Sequence, residues 1–305
     1  MSRPRPAVER ALAFIQDRLG DPMTVAHVAK AAALSEFHLH RLFHRTMGES
    51  VGRYITRKRL ETAALRLACE PTAPITAIAL DLGYSSSSNF SKAFKLYFGV
   101  SPTSVRRPSG EPPTELAKVL REYGHAFRPD DLFAVPFADG DARAREAALW
   151  QRRVRFEQRP AMTLACLASP DGYAYEALLA TWNQLIDRCR ALGVCGDDVD
   201  SWGVAFDSPD VAATGFHRYH ACVRGRADIE LPAPLFRNTV RAGRFAVFDY
   251  AGPVAGVAAA YRSIYSCWFP ENSLAPGDYV PLDHYVGNEP QDGEVTMELW
   301  LRVGA

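Results

Sequence analysis

Apolar positions in the first hundred residues recur at helical spacing, and they do so twice. Val8, Leu12, Ile15 and Leu19 predict a leading amphipathic helix. Val25, Val28 and Ala29 mark a short helix that Thr24 can cap, and a turn follows at Ala33-Leu34. Ser35 can cap the next helix, with Leu39, Leu42 and Phe43 as its apolar stripe and Gly48 as its stop. The second copy places Ile75, Ile78 and Ala79 on the first helix and Gly83 at the turn. A serine from the run Ser85–Ser88 caps a helix carrying Phe90, Ala93, Phe94 and Tyr97, and Gly99 ends it. Val28-Ala29 matches Ile78-Ala79 at an offset of 50, and Leu39, Arg41, Phe43 and Gly48 match Phe90, Lys92, Phe94 and Gly99 at 51. Each copy therefore reads as helix–turn–helix. Residues 51–70, free of Gly after position 52 and of Pro until Pro71, read as one long helix tying the copies together.

The pattern changes further along the chain. Ser109-Gly110-Glu111-Pro112-Pro113 opens a linker, followed by a helix-like piece at Glu115–Tyr123 and a polar, Arg/Asp-rich stretch. From Val154, strand-like runs (163–168, 202–206, 219–223, 245–250 and 297–303) alternate with helical patterns at 175–192 and 254–268. Gly172, Trp182 and Leu185 recur about 80 residues later as Gly252, Tyr261 and Ile264. A duplicated strand–helix–strand–strand unit follows, with the helices on one sheet face. In the last strand, Met297, Leu299, Leu301 and Val303 suit packing under helices, while Thr296, Glu298, Trp300 and Arg302 face the other way.

Charge alters this picture more than composition does. The 305 residues hold 35 Lys+Arg and 35 Asp+Glu, and the balanced total argues against nucleic acid. Residues 1–110, however, carry 16 basic and 8 acidic side chains, and residues 111–305 carry 19 and 27. A half at +8 beside a half at −8 suits a polyanion-binding domain joined to one with another task. Exposed on the second helix of each copy are short polar and basic groups near the N-terminus, of the kind that read base edges in a major groove. The composition, 48% hydrophobic and 23% charged, is that of an ordinary globular chain. It has no run of about 18 apolar residues for a membrane span and no apolar signal segment. The six cysteines are scattered without a CxxC pair, so buried free thiols in a reducing cytoplasm are expected. His217 and His220 sit at an odd separation in a strand-like run, which argues against a shared metal, and no cofactor motif is present.

Residues 8–107 resemble the double helix-turn-helix DNA-binding domain of AraC-family transcription regulators. The resemblance rests on Ile75–Ala79, Leu82-Gly83-Tyr84, Phe90, Phe94-Lys95, Phe98-Gly99, Ser101-Pro102 and Arg106. It implies two recognition helices in adjacent major-groove segments on one DNA face. Phe37, His40 and Arg41 would then read from the first helix, and Ser87, Ser88 and Lys92 from the second. Arg45 and Arg57 would serve as phosphate contacts, on charge alone. Residues 152–305 resemble the gyrase-inhibitor-like small-molecule-binding domain through Phe206-Asp207-Ser208-Pro209, Arg218–Val223, Ala242–Phe248, Tyr250–Pro253 and Glu298–Leu301. That likeness implies a cleft between two related modules with a carboxylate at the Glu298 position. Trp202, Phe206, Tyr219, Tyr250, Trp268, Tyr285 and Trp300 are available to line it. A carboxylate among rings favours a flat, lipophilic cation. Two positions depart from the pattern: Arg302 replaces a usual proline, where it would neutralise Glu298 and shift preference from cations toward neutral or anionic ligands, and Asp283-His284 replaces Phe-Glu.

The expectation is a multidomain chain. An all-α double helix-turn-helix domain (1–108) and a linker (109–151) precede an α+β effector domain (152–305) of two related strand–helix–strand–strand modules around a ligand cleft. The pairing resembles the Rob-type arrangement. Function is read as a cytoplasmic, non-enzymatic regulator that binds double-stranded DNA and a small aromatic or lipophilic effector, with RNA polymerase as a further partner. Two alternatives stay open: a constitutive DNA binder with a vestigial sensor, and a cleft-carboxylate hydrolase fused to a DNA reader.

Overall fold

The computed structural model describes residues 5–70, 72–105, 140–207, 218–278, 280–286 and 293–304, which divide into two compact units. The first unit is all helical: α1 (Arg5–Asp17), α2 (Val25–Ala32), α3 (Glu36–Met47), α4 (Val51–Cys69), α5 (Ile75–Asp81), α6 (Ser87–Phe98) and α7 (Pro102–Val105). The caps of α2, α3 and α6 lie where the polar punctuation placed them, and Ser50 adds one at α4. The side chains of Thr24, Ser35, Ser50 and Ser86 accept from the backbone N–H of His27, His38, Arg53 and Asn89. Gly48 and Gly99 close α3 and α6 in the left-handed conformation, at φ +72° and +74°. Each short helix buries its apolar stripe. Val28 and Ala29 are buried, as are Leu39, Leu42 and Phe43, and in the second copy Ile78, Ala79, Phe90 and Phe94 are buried likewise.

The duplication extends to the turns. Ala33 and Gly83 occupy equivalent positions and both are left-handed, at φ +55° and +76°. A Cβ on Gly83 would press on the Arg59 guanidinium and the Gly20 carbonyl. Ala33 keeps its Cβ in a backbone state that costs an L-residue about 1–2 kcal/mol. Ala33→Gly should therefore stabilise the first unit by about 0.5–1 kcal/mol, net of glycine's larger unfolded-state entropy. An unchanged urea midpoint would refute this.

The second unit is built on one eight-stranded sheet, in the order β1-β6-β8-β7-β3-β4-β2-β5. The strands are β1 (Val154–Arg159), β2 (Met162–Ala168), β3 (Asp200–Ala205), β4 (Tyr219–Arg224), β5 (Phe236–Val240), β6 (Gly243–Pro253), β7 (Leu282–Tyr285) and β8 (Glu294–Arg302). Helix α8 (Gly140–Gln151) precedes β1, and α9 (Tyr175–Ala191) joins β2 to β3. A short 3-10 turn leads into α10 (Val257–Ser263), which continues through a π-helical turn (Ile264–Trp268) into α11 (Phe269–Glu271). The duplicated unit is visible in the connectivity. One module is β2-α9-β3-β4 and the other is β6-α10-β7-β8, and they meet where β3 pairs antiparallel with β7.

The core lies on the helix side of the sheet. Ala246, Phe248, Met297, Leu299, Leu301 and Val303 pack there against Ile264, Trp268 and Phe269. The outward stripe read for the last strand is thus correct in its sidedness. Helix α8 falls inside the segment read as a linker, yet its Trp150 is buried in this core and its indole N–H donates to Ser263 Oγ at 2.7 Å. The helix-like piece at 115–123, with Arg106, Ser208, Pro209 and His217, lies outside the described residues.

Candidate nucleic-acid interface and ligand cleft

Helix α3 turns Leu39, Leu42 and Phe43 inward, which leaves Phe37, His40, Arg41, His44 and Arg45 on one exposed face. Phe37 is 72% exposed, and the Arg41 guanidinium lies 5.7 Å over its ring. A large aromatic left in water beside an arginine contributes nothing to the core, and it suits contact with a base methyl or a sugar. On α6 the equivalent face carries Ser88, Asn89, Lys92 and Lys95 in the open, with Ser87 half-buried. Seven of the eight residues read as DNA contacts are therefore available at the surface.

Arg57 is not. It lies on α4 at 4% exposure, inside a closed ion network. Its Nε and one terminal nitrogen donate to Glu49 Oε1 at 2.9 and 2.7 Å, and the other terminal nitrogen donates to Glu61 Oε1 at 2.8 Å. Lys58 reaches the second oxygen of Glu61 at 3.4 Å, and the Tyr97 hydroxyl donates to Glu61 at 3.5 Å. Burial opposes the charge on Arg57, but Glu61 and Glu49 more than offset it. The residue is a strut between the end of the first copy, the long helix and α6. Arg59 performs a related task. Its guanidinium donates to the carbonyls of Leu19 and Asp21, at 2.7 and 2.8 Å, and approaches that of Gly83 at 3.5 Å.

In the second unit, strand parity sorts the expected cleft residues onto opposite faces. Glu298 pairs across the sheet with His284, and His284 with Trp202, so all three share the face away from the helices. Trp300 joins them, its ring 5.4 Å from that of Trp202. Phe206 lies beyond the end of β3 against His220 and under Arg218. Tyr219, Tyr250, Trp268 and Tyr285 belong to the helix side. Trp268 is fully buried there and packs on Phe248, while the Tyr250 hydroxyl donates to the Pro253 carbonyl. Those two belong to the core and cannot line a cleft.

Glu298 is not a carboxylate waiting for a cation. Arg155 holds Oε1 at 2.5 Å, while His284 Nδ1 and the Trp300 indole N–H reach Oε2 at 2.7 and 2.9 Å. Burial would raise its pKa, but His284, Trp300 and Arg155 together pull it below the usual range. His284 stacks on Trp202 at 4.1 Å and reaches Asp200 through its other nitrogen. Burial opposes its charge, and the two carboxylates reverse that and raise its pKa. Arg302, expected to neutralise Glu298, instead binds Asp278 at 2.8 Å and the carbonyls of Arg241 and Ala242.

A second carboxylate among aromatic rings is Asp283, which precedes His284 on β7 and so lies on the opposite face of the sheet from Glu298. It sits at the β3–β7 seam, across from Gly203. A Cβ at position 203 would strike the Tyr219 hydroxyl and crowd the Asp283 carboxylate, so glycine is required there. Tyr261 on α10 donates to Asp283 Oδ1 at 2.5 Å, and Tyr219 also bonds the carboxylate. The Tyr219 and Tyr285 hydroxyls are 2.9 Å apart, and Trp182 on α9 meets Tyr285 edge-on at 5.1 Å. Tyr173 packs edge-on against Tyr219. No Lys or Arg among the described residues pairs with Asp283. Burial accordingly pushes its pKa up to about 6, against the pull of the two tyrosine hydrogen bonds. Tyr173, Trp182, Tyr261 and Tyr285 around it are each half-buried. The recurrence of Trp182 as Tyr261 now has a place: equivalent helices contribute one aromatic each to either side of the seam.

The described residues hold no cluster of His, Cys, Asp and Glu able to bind a metal ion, and no helix long and apolar enough to cross a membrane. Residues 28–108 match the family model of a helix-turn-helix domain, and residues 152–303 match that of the GyrI-like small molecule binding domain. The regulatory protein SoxS of Escherichia coli K12 is 33% identical over 99 residues, which cover 32% of this chain and 92% of SoxS. A putative AraC-like transcription regulator of Streptomyces antibioticus is 40% identical over 102 residues, a third of each chain. The transcriptional regulator Rob of Salmonella typhimurium is 35% identical over 98 residues, 32% of this chain and 34% of Rob. With two helix-turn-helix copies presenting basic faces, followed along the sequence by a duplicated α+β unit, the chain belongs to the AraC family of DNA-binding transcription regulators and carries a GyrI-like small-molecule-binding domain.

Proposed function

We propose that this regulator is controlled by a small, lipophilic aromatic cation that enters the cleft at the β3–β7 seam and pairs with Asp283. The observation that carries the reading is a buried carboxylate, ringed by Tyr219, Tyr261 and Tyr285, that has no cationic partner among the described residues. Leaving such a group without a counter-charge is costly. A cation offsets that cost by ion pairing, and a flat ring system fills the space between Trp182 and Tyr261. In this reading residues 1–108 form the reader, 109–139 the connection, and the effector domain begins with α8. The protein acts in the cytoplasm as a regulator rather than a catalyst, with RNA polymerase as its partner at the promoter. Affinity of the full chain for DNA fragments it selects should change on adding an aromatic cation and stay unchanged with a neutral analogue of the same shape. Indifference to both classes, in DNA affinity and in thermal shift, would leave a constitutive binder.

On the reader, Phe37, His40, Arg41, Ser87, Ser88 and Lys92 are proposed to face base edges, with Arg45 on phosphate. Arg41→Ala should lose about 1–3 kcal/mol on the selected site and relax preference at one base pair. A uniform loss on all sequences, with the salt slope reduced by about one, would reassign Arg41 to phosphate.

A further inference from the structure

Cys166 on β2 and Cys222 on β4 stand directly opposite one another in the antiparallel register, and their sulfurs are 2.8 Å apart. The pairing of Ser169 N–H with the Tyr219 carbonyl fixes the alternation along this ladder. Counting back three pairs puts Cys166–Cys222 at a non-hydrogen-bonded site, where opposed Cα atoms lie about 4.5 Å apart and side chains approach most closely. That separation falls within the range a disulfide spans without backbone movement, about 4.4–6.8 Å. Both side chains point to the sheet face opposite the helices and are fully buried. Two thiols brought into contact 56 residues apart in sequence, on neighbouring strands, form a built pair and not a chance juxtaposition.

We propose that Cys166 and Cys222 are a reversible oxidation site that takes a small hydroperoxide and closes to a cross-strand disulfide. One thiolate attacks the peroxide. An S–O bond forms, the O–O bond breaks, and the departing hydroxide takes a proton to become water. The second sulfur then attacks the resulting sulfenic sulfur, so that the S–S bond forms, the S–O bond breaks and a second water leaves. Two thiols and one hydrogen peroxide thus give one disulfide and two waters. The partner sulfur already in contact makes ring closure faster than further oxidation to sulfinic acid. Complete burial makes the first step slow and excludes bulky oxidants. Burial pushes Cys189 up to about 12 and Cys267 up to about 11, so little thiolate forms at either. The disulfide would pin β2 to β4, the strand that also carries Tyr219 of the aromatic cleft.

The test uses the full-length protein, treated with hydrogen peroxide, alkylated, and digested without reductant. The expected product is a cross-linked peptide pair containing Cys166 and Cys222, lighter by two hydrogens and restored by dithiothreitol. The oxidised protein should also melt several degrees higher. Cys166→Ala and Cys222→Ala should each abolish both the cross-link and the melting shift, and Cys189→Ala should keep them. Recovery of both peptides alkylated from folded, peroxide-treated wild type, or irreversible sulfinic acid at either position, would overturn the proposal. So would a cross-link that joins other cysteines.

Discussion

Arg57→Ala is expected to cost the first unit about 3–5 kcal/mol, the loss typical of removing one partner from a buried ion pair. The substitution leaves Glu49 and Glu61 buried, each at 5% exposure or less, with Lys58 as the only cation of the network described around them. It also cuts the tie from the end of the first helix-turn-helix copy to α4. For a domain whose total stability is about 5–15 kcal/mol, such a loss is a large fraction. Arg57→Lys should recover part of it, since the charge returns without the forked geometry that serves two carboxylates at once. Urea unfolding of the full chain, monitored by helix content, reads the effect as an early transition. The contrary result is equally concrete: unfolding like wild type, with DNA affinity lower and its salt slope reduced by about one, would mean that Arg57 is a phosphate contact after all.

Asp283→Asn is the second large effect. Removing the charged partner of a desolvated pair costs about 2–5 kcal/mol of binding, so affinity for an aromatic cation should fall by a factor of thirty or more. DNA binding without effector should be unchanged. The wild-type pH profile follows from the same carboxylate. With its pKa raised to about 6, Asp283 holds a proton below that pH and must release it to accept a cation. Cation affinity should be flat above pH 6 and fall about tenfold per unit below it, with proton uptake by buffer visible in calorimetry. The stability of the ligand-free protein runs the opposite way. A carboxyl group whose folded pKa lies above its unfolded value stabilises fully at low pH and loses that contribution as pH rises through about 6. Asp283→Asn should flatten that decline. A cation affinity that does not change between pH 7 and pH 5 would remove Asp283 from the site.

The contrast between these two residues shows what kind of information was legible in the chain. Helical stripes, serine caps, closing glycines and the charge division are short-range features, and the reader formed from them as expected. Exposure of Arg41 and Lys92 follows from the same periodicity that buries Leu42 and Phe94. Arg57 defeated this reasoning because its burial depends on Glu49, Glu61 and Tyr97 converging from three elements. An arginine reads as a surface cation until its partners are known. The strands β1, β5 and β7 were not read as separate elements, since VRFEQR, FRNTV and LDHY carry mostly polar residues in place of the apolar runs that mark β2 and β6.

By itself, the sequence determined the duplication in each half, the inward and outward sides of α3, α6 and β8, and the pairing of a basic reader with an acidic sensor. Only the tertiary structure decided which sheet face each carboxylate occupies and which of them finds a cation. Strand alternation relates neighbours on one strand, but it cannot say which acid will meet a cation from elsewhere. Glu298 meets Arg155, 143 residues distant, and is neutralised. Asp283, on the face where the two modules' helices converge, meets tyrosines and keeps its charge uncompensated.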